Sequence, residues 1–515
     1  MFSNEDIHIL TKILEETKIN QKETWAIYGT GNGAGIIYKI LCELSVNSAI
    51  KSILDRDETV FPKKEFYGIQ IQTLTEVCDS LDGIIIAAVD NHAIIRERIQ
   101  KNLTEAQLKR IRIMDIFGYK EKILQFQKAM EYVNYIEKSV LKESAEFVQF
   151  DEKGYHLKHG NTKIIAWYLP QFHQMEINNK FHGQGFTEWT NTSRAIPLFP
   201  GHYQPHIPYD VGYYDLLNPS TFERQIFLAK HYGIYGFCFH YYWFSGKRIM
   251  EKPLELFLEH KELDMPFCLD WATENWTMLW DGGDKEIMME QKLRDGDGEK
   301  FMSDILPFMK DPRYIRIDNK PVLVIYRVNM FPKSRIIQLL SDFRKIAKES
   351  GFPDLYIILT DAFGFNESVA EWGADALVEF PPLAMGQFME AYKLSGYRNP
   401  YFNGEIFDAL SFVEKKEYMI SHGQQTYFRS ALTSWDSTAR KAISGGWVLQ
   451  GLTPQTFKEW LSDILIESRQ IHSPSEDIVF VNSWNEWGEG SHLEPDMRYG
   501  YAYLQSVKEA LEEQR

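Results

Sequence analysis

The sequence predicts an α/β protein in which a small Rossmann-like, doubly wound domain precedes a larger (β/α)8 TIM barrel. The chain has 515 residues, which exceeds the size at which one hydrophobic core stops growing. Its first part alternates apolar strands with helical stretches, and eight further candidate strands follow Gly160. We therefore expect the Rossmann-like domain at 1–115, a helical linker at 116–159 and the barrel at 160–515.

The first domain is predicted from three apolar strands: WAIYG (25–29), AIKSILD (49–55) and DGIIIAAV (82–89). Helical stretches follow the first and the third of them. Continuous apolar strands need both faces covered by crossover helices, so this pattern is typical of a parallel sheet. From about 105 to 147 the chain is charged, has a helical period and contains no strand-like run, which predicts helix.

The barrel is predicted from eight strands, most of them followed by a helical stretch. They are IIAWYLPQ (164–171), GIYGFCFHYYWF (233–244), MPFCLDWA (265–272), PVLVIYR (321–327), LYIILTD (355–361), ALVEFPP (376–382), TYFRSALTSW (426–435) and IVFVNSWNEW (478–487). An open α/β sheet is the alternative. The barrel is favoured because polar groups end one strand after another, and in a barrel these ends meet at one rim.

The strongest chemical motif is VNSWNEWGEGSHLEP (481–495), at the end of the eighth strand. Glu486 and Glu489 lie three residues apart in a glycine-containing turn, so both carboxylates can face one pocket. Glycosidic cleavage needs two carboxylates of different environment, one protonated and one ionised. We therefore predict Glu486 and Glu489 as catalytic residues. The alternative is that they cap the following helix.

Aromatic, amide and acidic side chains also follow the other strands, and this combination suits stacking against sugar rings and hydrogen bonding to their hydroxyls. Ordinary loops with buried aromatics are the alternative. The predicted substrate-binding residues are Trp167, Tyr168, His173, Glu188, Trp189, Asn191, His240, Tyr242, Trp243, Asp270, Trp271, Glu274, Trp276, Trp484, Asn485 and Trp487.

The small domain carries YGTGNGAG (28–35) between a strand and a helix, the context that a nucleotide-binding turn requires. Gly29, Gly31 and Gly33 would let backbone amides approach a diphosphate, and Asp55 would accept from a ribose hydroxyl. We predict these residues as a site for a nucleotide or nucleotide-sugar. A turn that serves packing alone is the alternative. No cofactor is expected to be required by the barrel.

Several classes of function are disfavoured. The net charge of −16 argues against a nucleic-acid groove, which needs a basic stripe. No metal is expected, since no zinc-type histidine spacing or Asp-rich calcium loop occurs, and no serine-nucleophile elbow is present. The cysteines lack a CxxC pair and are expected to be reduced core thiols: Cys42, Cys78, Cys238 and Cys268.

The expected location is the cytoplasm. The first residues, MFSNEDIHILTKILEE, are amphipathic and acidic, unlike a secretion signal. No apolar run approaches the roughly 20 residues of a spanning helix. Peripheral association with polysaccharide assembly machinery is left open.

IIAWYLPQFH, GFTEWTN, HYYWFSGKR, WATENWT and NSWNEWGEGSHLEP together resemble the WbsX family. Its members are encoded among bacterial O-antigen and capsule genes and are described as similar to glycoside hydrolase family 99. This resemblance covers roughly 163–510. More weakly, 25–99 is similar to the N-terminal nucleotide-sugar-binding domain of bacterial sugar O-acyltransferases.

The E-W-x-E element at 486–489 is similar to the catalytic element of family 99 endo-α-mannosidases, which are retaining TIM-barrel enzymes. The resemblance implies that Glu489 is the general acid/base. It also implies that Glu486 is the base that helps the substrate's own 2-hydroxyl attack the anomeric carbon, through a 1,2-anhydro sugar.

Three hypotheses follow. The first is a retaining endo-glycosidase or transglycosidase that acts on a surface oligo- or polysaccharide. The second is a nucleotide-sugar-dependent glycosyltransferase whose donor site is the Rossmann-like domain. The third is a non-catalytic polysaccharide-binding module, which the intact acid pair disfavours. We favour the first.

Overall fold

The computed structural model describes residues 2–55, 65–139, 142–155, 160–277, 287–365, 367–385, 389–394, 396–420, 423, 425–441 and 445–514. The chain forms two compact units, Met1–Asn134 and Tyr135–Arg515. Within the described ranges, every helix is too short or too polar to cross a membrane.

The first unit is a doubly wound α/β fold. Its elements in chain order are α1 (Asn4–Glu16), β1 (Trp25–Tyr28), α2 (Asn32–Glu43), β2 (Ile50–Leu54), β3 (Glu65–Phe66), β4 (Ile69–Gln72), α3 (Leu74–Val77), β5 (Gly83–Ile86), α4 (His92–Asn102), α5 (Glu105–Arg110), β6 (Arg112–Asp115) and α6 (Ile116–Ser139). The sheet order is β3-β4-β2-β1-β5-β6, and only β3 runs antiparallel to its neighbour. The predicted Rossmann-like fold is confirmed.

Two expectations for this unit were wrong. The segment 105–147 contains a strand, β6, which pairs in parallel with β5 at the edge of the sheet. Its four residues are too few to interrupt the helical period on both sides. Cys42 is exposed rather than in the core, because it lies on the outer face of α2, whereas the other three cysteines are buried.

The two ends of the predicted linker at 116–159 belong to different hydrophobic cores. Ile116 and Phe117, at the start of α6, are buried in the core of the first unit. Tyr155 belongs to the core of the second unit, and Val148 packs against that core.

The second unit is built around eight parallel strands. Its elements in chain order are β7 (Lys163–Tyr168), α7 (Glu176–His182), α8 (Glu188–Ser193), α9 (Pro219–Tyr232), β8 (Gly236–Phe244), β9 (Lys247–Ile249), α10 (Glu251–Glu259), β10 (Phe267–Ala272), β11 (Trp276–Thr277), β12 (Ile287–Met289), α11 (Asp297–Met309), β13 (Arg316–Ile317), β14 (Lys320–Tyr326), α12 (Lys333–Glu349), β15 (Tyr356–Asp361), β16 (Ala376–Glu379), β17 (Glu405–Asp408), α13 (Ala409–Glu414), β18 (Tyr427–Phe428), β19 (Ser430–Leu432), α14 (Thr438–Lys441), β20 (Trp447–Gln450), α15 (Pro454–Ile471), β21 (Ile478–Asn482), β22 (Asn485–Glu486), β23 (Ser491–His492) and α16 (Ala502–Glu513).

The parallel sheet closes on itself. Its order is β18-β16-β15-β14-β10-β8-β7-β21-β19. Since β18 and β19 flank Arg429, they are successive segments of the seventh strand. The first segment pairs with β16 and the second with β21. All eight predicted strands are therefore found, and the predicted (β/α)8 barrel is confirmed.

Aromatic side chains fill the upper part of the barrel. Trp167 stacks on His240 with ring centroids 5.8 Å apart, and its ring lies 5.1 Å from that of Phe380. Tyr326 packs edge-on against Phe380 at the same distance of 5.1 Å. This packed layer lies below the loops at the carboxyl ends of the strands and forms the floor of the upper barrel.

Candidate active site

A cleft of about 1160 Å³, counted to its open mouth, lies at the carboxyl ends of the barrel strands. Its lining combines acids, amides and aromatic rings with a set of apolar side chains. The lining residues are Leu169, Gln171, Asn178, His182, Phe186, Glu188, His240, Tyr242, Phe244, Met250, Ala272, Glu274, Asn275, Trp276, Tyr326, Phe380, Leu383, Trp435, Arg440, Asn482, Glu486 and Glu489.

A tight hairpin after β21 places both predicted catalytic carboxylates in the cleft. β22 and β23 pair across a single 3-10 turn. The Glu486 amide donates to Ser483 Oγ at 2.8 Å, which fixes the start of the turn. At Gly488 a Cβ would lie 2.1 Å from Glu188 Oε1 and 2.9 Å from Arg440 Nε. Only glycine therefore allows the turn to approach these two charged groups.

One guanidinium, that of Arg440, holds three carboxylates. Its Nε donates to Glu188 Oε1 at 2.8 Å, and its Nη2 lies 2.9 Å from both oxygens of Glu486. Its Nη1 lies 3.0 Å from Glu489 Oε1. Gln171 Nε2 also donates to both oxygens of Glu486, at 3.1 and 3.0 Å. Three acids and one base leave the cluster short of positive charge, so a retained proton stabilises it.

The pKa values follow from this charge imbalance. Burial raises the pKa of Glu486, and the charges of Glu489 and Glu188 add to this effect while Arg440 opposes it. Burial also raises the pKa of Glu489, and the charge of Glu188 raises it further. The pair therefore keeps a proton near neutral pH, where exposed carboxyls have lost theirs.

The proton is better accommodated on Glu489 than on Glu486. Both oxygens of Glu486 accept from two donor groups, Arg440 and Gln171, which suits an ionised carboxylate. Glu489 Oε1 lies 3.0 Å from Arg440 Nη1, and its side chain is 13% exposed, against 7% for Glu486. The two acids thus have the different environments that paired acid and base chemistry requires.

Asp436 holds the short helix α14 that carries Arg440. Its Oδ1 accepts from the Thr438 amide and hydroxyl at 2.9 and 2.6 Å. Its Oδ2 lies 2.6 Å from His202 Nε2. Because His202 Nδ1 accepts a hydrogen bond from the Leu198 amide, Nε2 is the ring nitrogen that carries the proton and donates to Asp436. The Asp436 amide also donates to the Glu489 carbonyl at 2.7 Å. Asp436 thus positions both sides of the Arg440–Glu489 contact.

The opposite wall of the cleft contains a second buried ion pair. Glu274 is paired with Arg327, yet burial raises the pKa of Glu274 above its ordinary value. Beside it, Trp276 stacks on Tyr242 with ring centroids 6.4 Å apart. Half-buried aromatic faces next to charged groups are suitable for binding a sugar ring.

The predicted site residues divide into two groups. Seven line the cleft: Glu188, His240, Tyr242, Glu274, Trp276, Glu486 and Glu489. Eleven do not, and all of them are buried: Trp167, Tyr168, His173, Trp189, Asn191, Trp243, Asp270, Trp271, Trp484, Asn485 and Trp487.

Contacts of the second group explain its burial. Asn485 clamps the ends of two strands, since its side chain accepts from the Leu169 amide at 2.8 Å and donates to the Leu169 carbonyl at 3.0 Å. Trp487 stacks on His492 at 3.7 Å and donates to Glu494 at 2.7 Å. Asp270 is fully buried, and its Oδ2 lies 2.9 Å from Nδ1 of the cleft residue His240.

The most important residue that sequence reasoning missed is Arg440. It follows the seventh strand in the run WDSTARK, in which only Trp435 and Asp436 resemble the aromatic and acidic residues of the other strand ends. Gln171 is the last residue of the predicted strand IIAWYLPQ, but its sequence position did not identify it as a partner of Glu486. Only their positions in the sequence could have indicated a role, because Arg440 and Gln171 lie at or just after the ends of barrel strands, where active sites are built.

One group of side chains has metal-ligand chemistry among the residues described. The ligand atoms of His206, His492 and Asp496 all lie within 4.8 Å of one another and are buried. His492 Nδ1 lies 2.9 Å from the Glu494 carbonyl, so it carries the proton, and His492 Nε2 accepts from His206 Nδ1 at 2.8 Å. Burial lowers the pKa of both histidines. A neutral hydrogen-bonded pair accounts for this arrangement.

The predicted nucleotide-site residues lie together in the first unit. Gly29, Gly31, Gly33 and Asp55 line a crevice between the carboxyl ends of β1 and β5, where the strand order reverses. Gly33 is required for packing, since a Cβ there would lie 2.3 Å from the Ala87 carbonyl oxygen.

Fold and site together define an α/β-barrel protein with a carboxylate pair in an aromatic-lined cleft. The chain belongs to the WbsX family, because the family model described as "Glycosyltransferase WbsX" matches residues 164–507.

Two curated relatives from strains of Xanthomonas campestris pv. campestris, each called "Uncharacterized protein WxcX", are 34% identical over 349 residues. The match covers 68% of this chain and 49% of each relative, so the chain spans about half the length of the curated relatives it matches.

Two solved structures are also similar. A "Glycoside hydrolase-like protein" has a TM-score of 0.43 at 14% identity, covering 71% of this chain and 98% of that one. The GH99 endo-α-mannosidase from Bacteroides thetaiotaomicron has a TM-score of 0.41 at 12% identity, covering 68% and 97%. The closed sheet, rather than these scores, establishes the barrel.

Proposed function

We propose that the barrel breaks or forms a glycosidic bond in a bacterial surface oligo- or polysaccharide, with retention of anomeric configuration. The observation that supports this proposal most strongly is the carboxylate pair of Glu486 and Glu489 on one guanidinium. A family named for glycosyl transfer is consistent with this class of chemistry. Trp276 and Trp435 offer flat faces to the sugar rings.

In the first step, Glu489 donates its proton to the leaving glycosidic oxygen as the bond from that oxygen to the anomeric carbon breaks. Glu486 accepts the proton of the sugar's 2-hydroxyl, and that oxygen bonds to the anomeric carbon, giving a 1,2-anhydro sugar. The ionised state of Glu486, held by Arg440 and Gln171, prepares it for this role.

In the second step, Glu489 takes a proton from water or an acceptor hydroxyl, whose oxygen attacks the anomeric carbon. The bond from the anomeric carbon to O2 breaks, and Glu486 returns its proton to O2. Two displacements at the same carbon give net retention, and both carboxyls end in their starting states. Water gives hydrolysis, and a sugar hydroxyl gives transfer.

The stereochemical outcome tests this proposal. The enzyme is incubated with a panel of bacterial surface oligosaccharides, and proton NMR records the anomeric configuration of the first product before mutarotation. Retention supports the two-step route. Inversion would contradict it, because a single displacement needs no attack by the 2-hydroxyl. A substrate whose 2-hydroxyl is methylated should not react, and equal turnover of that substrate would exclude Glu486 as its base.

We further propose that the first unit binds a phosphorylated ribonucleoside. The specific observation is Arg98, half-buried in the crevice and without an ion pair among the described residues. The start of α2 points its free amides into the same crevice, and Thr30 Oγ1 donates to Asp55 Oδ2 at 3.1 Å. A phosphate between α2 and Arg98 would contact both groups, and Asp55 at the edge of the same crevice is within the lining where a ribose would lie. A nucleotide-sugar in this position would favour the glycosyltransferase hypothesis.

Calorimetric titration with free nucleotides, NAD and nucleotide-sugars tests this second proposal. Gly31 is suitable for a substitution that blocks the site without disturbing the fold, because a Cβ there meets no atom within 4 Å. Gly31→Asp should therefore fold normally while placing negative charge against the phosphate. Tight binding that is lost in Gly31→Asp and weakened in Arg98→Ala supports the site. No binding by any ligand leaves the glycine-rich turn with a packing role.

A further inference from the structure

The long helix α6 carries an exposed apolar stripe. Of the large hydrophobic side chains at its surface, five are between 38% and 67% exposed: Tyr119, Ile123, Phe126, Met130 and Val133. All five lie in the first unit. We call them the α6 seam. Exposed apolar residues that occur singly are ordinary, but a continuous row of them is not.

The spacing of the seam is that of a helix that packs against another helix. Successive members are separated by four, three, four and three residues, which is the heptad pattern of a and d positions. This stripe runs about 21 Å along the helix. A helix that packs on a sheet or a barrel surface has a broader apolar face, whereas a narrow seam matches a second narrow seam.

We propose that two copies of this chain associate through their α6 seams. The same stripe on a second copy is complementary to the first, so a twofold axis between the helices buries both. The residues that flank the seam are Lys120, Lys122, Gln127, Ala129 and Asn134. The charges beside it are therefore two lysines near one end, and an antiparallel pair keeps the lysines of the two copies apart. Lys120, beside the seam, is already paired with Asp6.

The size of the seam sets the strength of the association. It exposes an apolar area of a few hundred Å² on each chain. Pairing two copies then buries on the order of 800 Å², which is below the standard size of stable interfaces and typical of weak, transient ones. With fewer than three heptads, we therefore expect a dimer that forms reversibly with concentration.

Light scattering after size exclusion, over a wide range of concentration, tests the proposal on the full chain. The wild type should rise from 60.3 kDa toward twice that mass. Phe126→Lys combined with Met130→Lys should stay monomeric, because each charge would be buried in the seam. Since both side chains are exposed, the variant should fold, which circular dichroism checks. Val133→Lys alone serves as a second variant and should weaken the dimer.

The control is Ile466→Lys combined with Ile471→Lys on α15, where the side chains are 50% and 59% exposed. It adds the same charge outside the seam and should leave the dimer unchanged. A wild type that stays at monomer mass up to its solubility limit overturns the proposal. So does a seam variant that dimerises like the wild type, or a control variant that loses the dimer equally.

Discussion

Arg440 Nη2 lies 2.9 Å from both oxygens of Glu486. The same guanidinium contacts Glu489 at 3.0 Å, so the two acids are held at one point of the cleft. Burial works against the charge of Arg440, but its three carboxylate neighbours outweigh burial and raise its pKa far above the ordinary value. The permanent charge of Arg440 is what makes a buried acid cluster tolerable.

Removing Arg440 should damage both stability and activity. Arg440→Met leaves three buried carboxylates without their cation, and we expect the free energy of unfolding to fall by about 3–5 kcal/mol. Arg440→Lys keeps the positive charge but lacks the planar guanidinium that donates to several carboxylates at once. It should therefore be more stable than Arg440→Met and still lose activity. Urea denaturation and turnover measure the two effects.

The matched control is Arg335→Met. Arg335 pairs with Asp295, which is fully exposed, so its loss should cost less than about 1 kcal/mol. If Arg440→Met were no more destabilising than Arg335→Met, Arg440 would not be holding the cluster.

The alkaline limb of the pH profile should respond to Glu188. The negative charge of Glu188 raises the pKa of both Glu486 and Glu489. Glu188→Gln removes that charge, so the ionised forms become easier to reach and the pKa values fall. We expect the alkaline limb of kcat/KM to move to lower pH.

The matched control for this profile is Glu223→Gln, a neutralisation at an exposed position on α9, which should leave the limb in place. If the alkaline limb of kcat/KM does not move in Glu188→Gln, or moves to higher pH, the charge of Glu188 does not raise the pKa values of Glu486 and Glu489.

The barrel could be predicted from the sequence. Runs such as PVLVIYR (321–327) are apolar on both faces, and this pattern is specific to strands covered by helices. The strand β6 was missed because RIMD is short and lies at a sheet edge, where one apolar face suffices. Tertiary pairing with β5, rather than local pattern, makes it a strand.

The candidate active site could be predicted only in part. Glu486 and Glu489 could be found because paired acids in a glycine-containing turn are unusual. Trp484 was placed in the cleft by the same motif, yet it is fully buried against Phe237. Sequence cannot tell which face of a tight turn points to solvent. Nor could it reveal that Arg440, far from the motif, contacts both acids.

Two tryptophans of the predicted site should therefore behave differently. Trp276 lines the cleft, and Trp276→Ala should weaken substrate binding by about 1 kcal/mol, seen as a severalfold rise in KM. Trp487 is fully buried, and Trp487→Ala should lower the free energy of unfolding by about 3–5 kcal/mol.

Steady-state kinetics and urea denaturation of both tryptophan variants make the comparison. A large loss of stability in Trp276→Ala would contradict its place at the surface of the cleft. A variant Trp487→Ala that is as stable as the wild type would contradict its place in the core.

The most direct test of the catalytic pair is turnover of labelled surface oligosaccharides by the wild type and by Glu489→Gln, with binding measured in parallel. The account predicts cleavage or transfer by the wild type. In Glu489→Gln it predicts a loss of at least about 100-fold in turnover with the affinity for the glycan retained. Equal turnover by the two proteins would contradict the role of Glu489 as general acid and base.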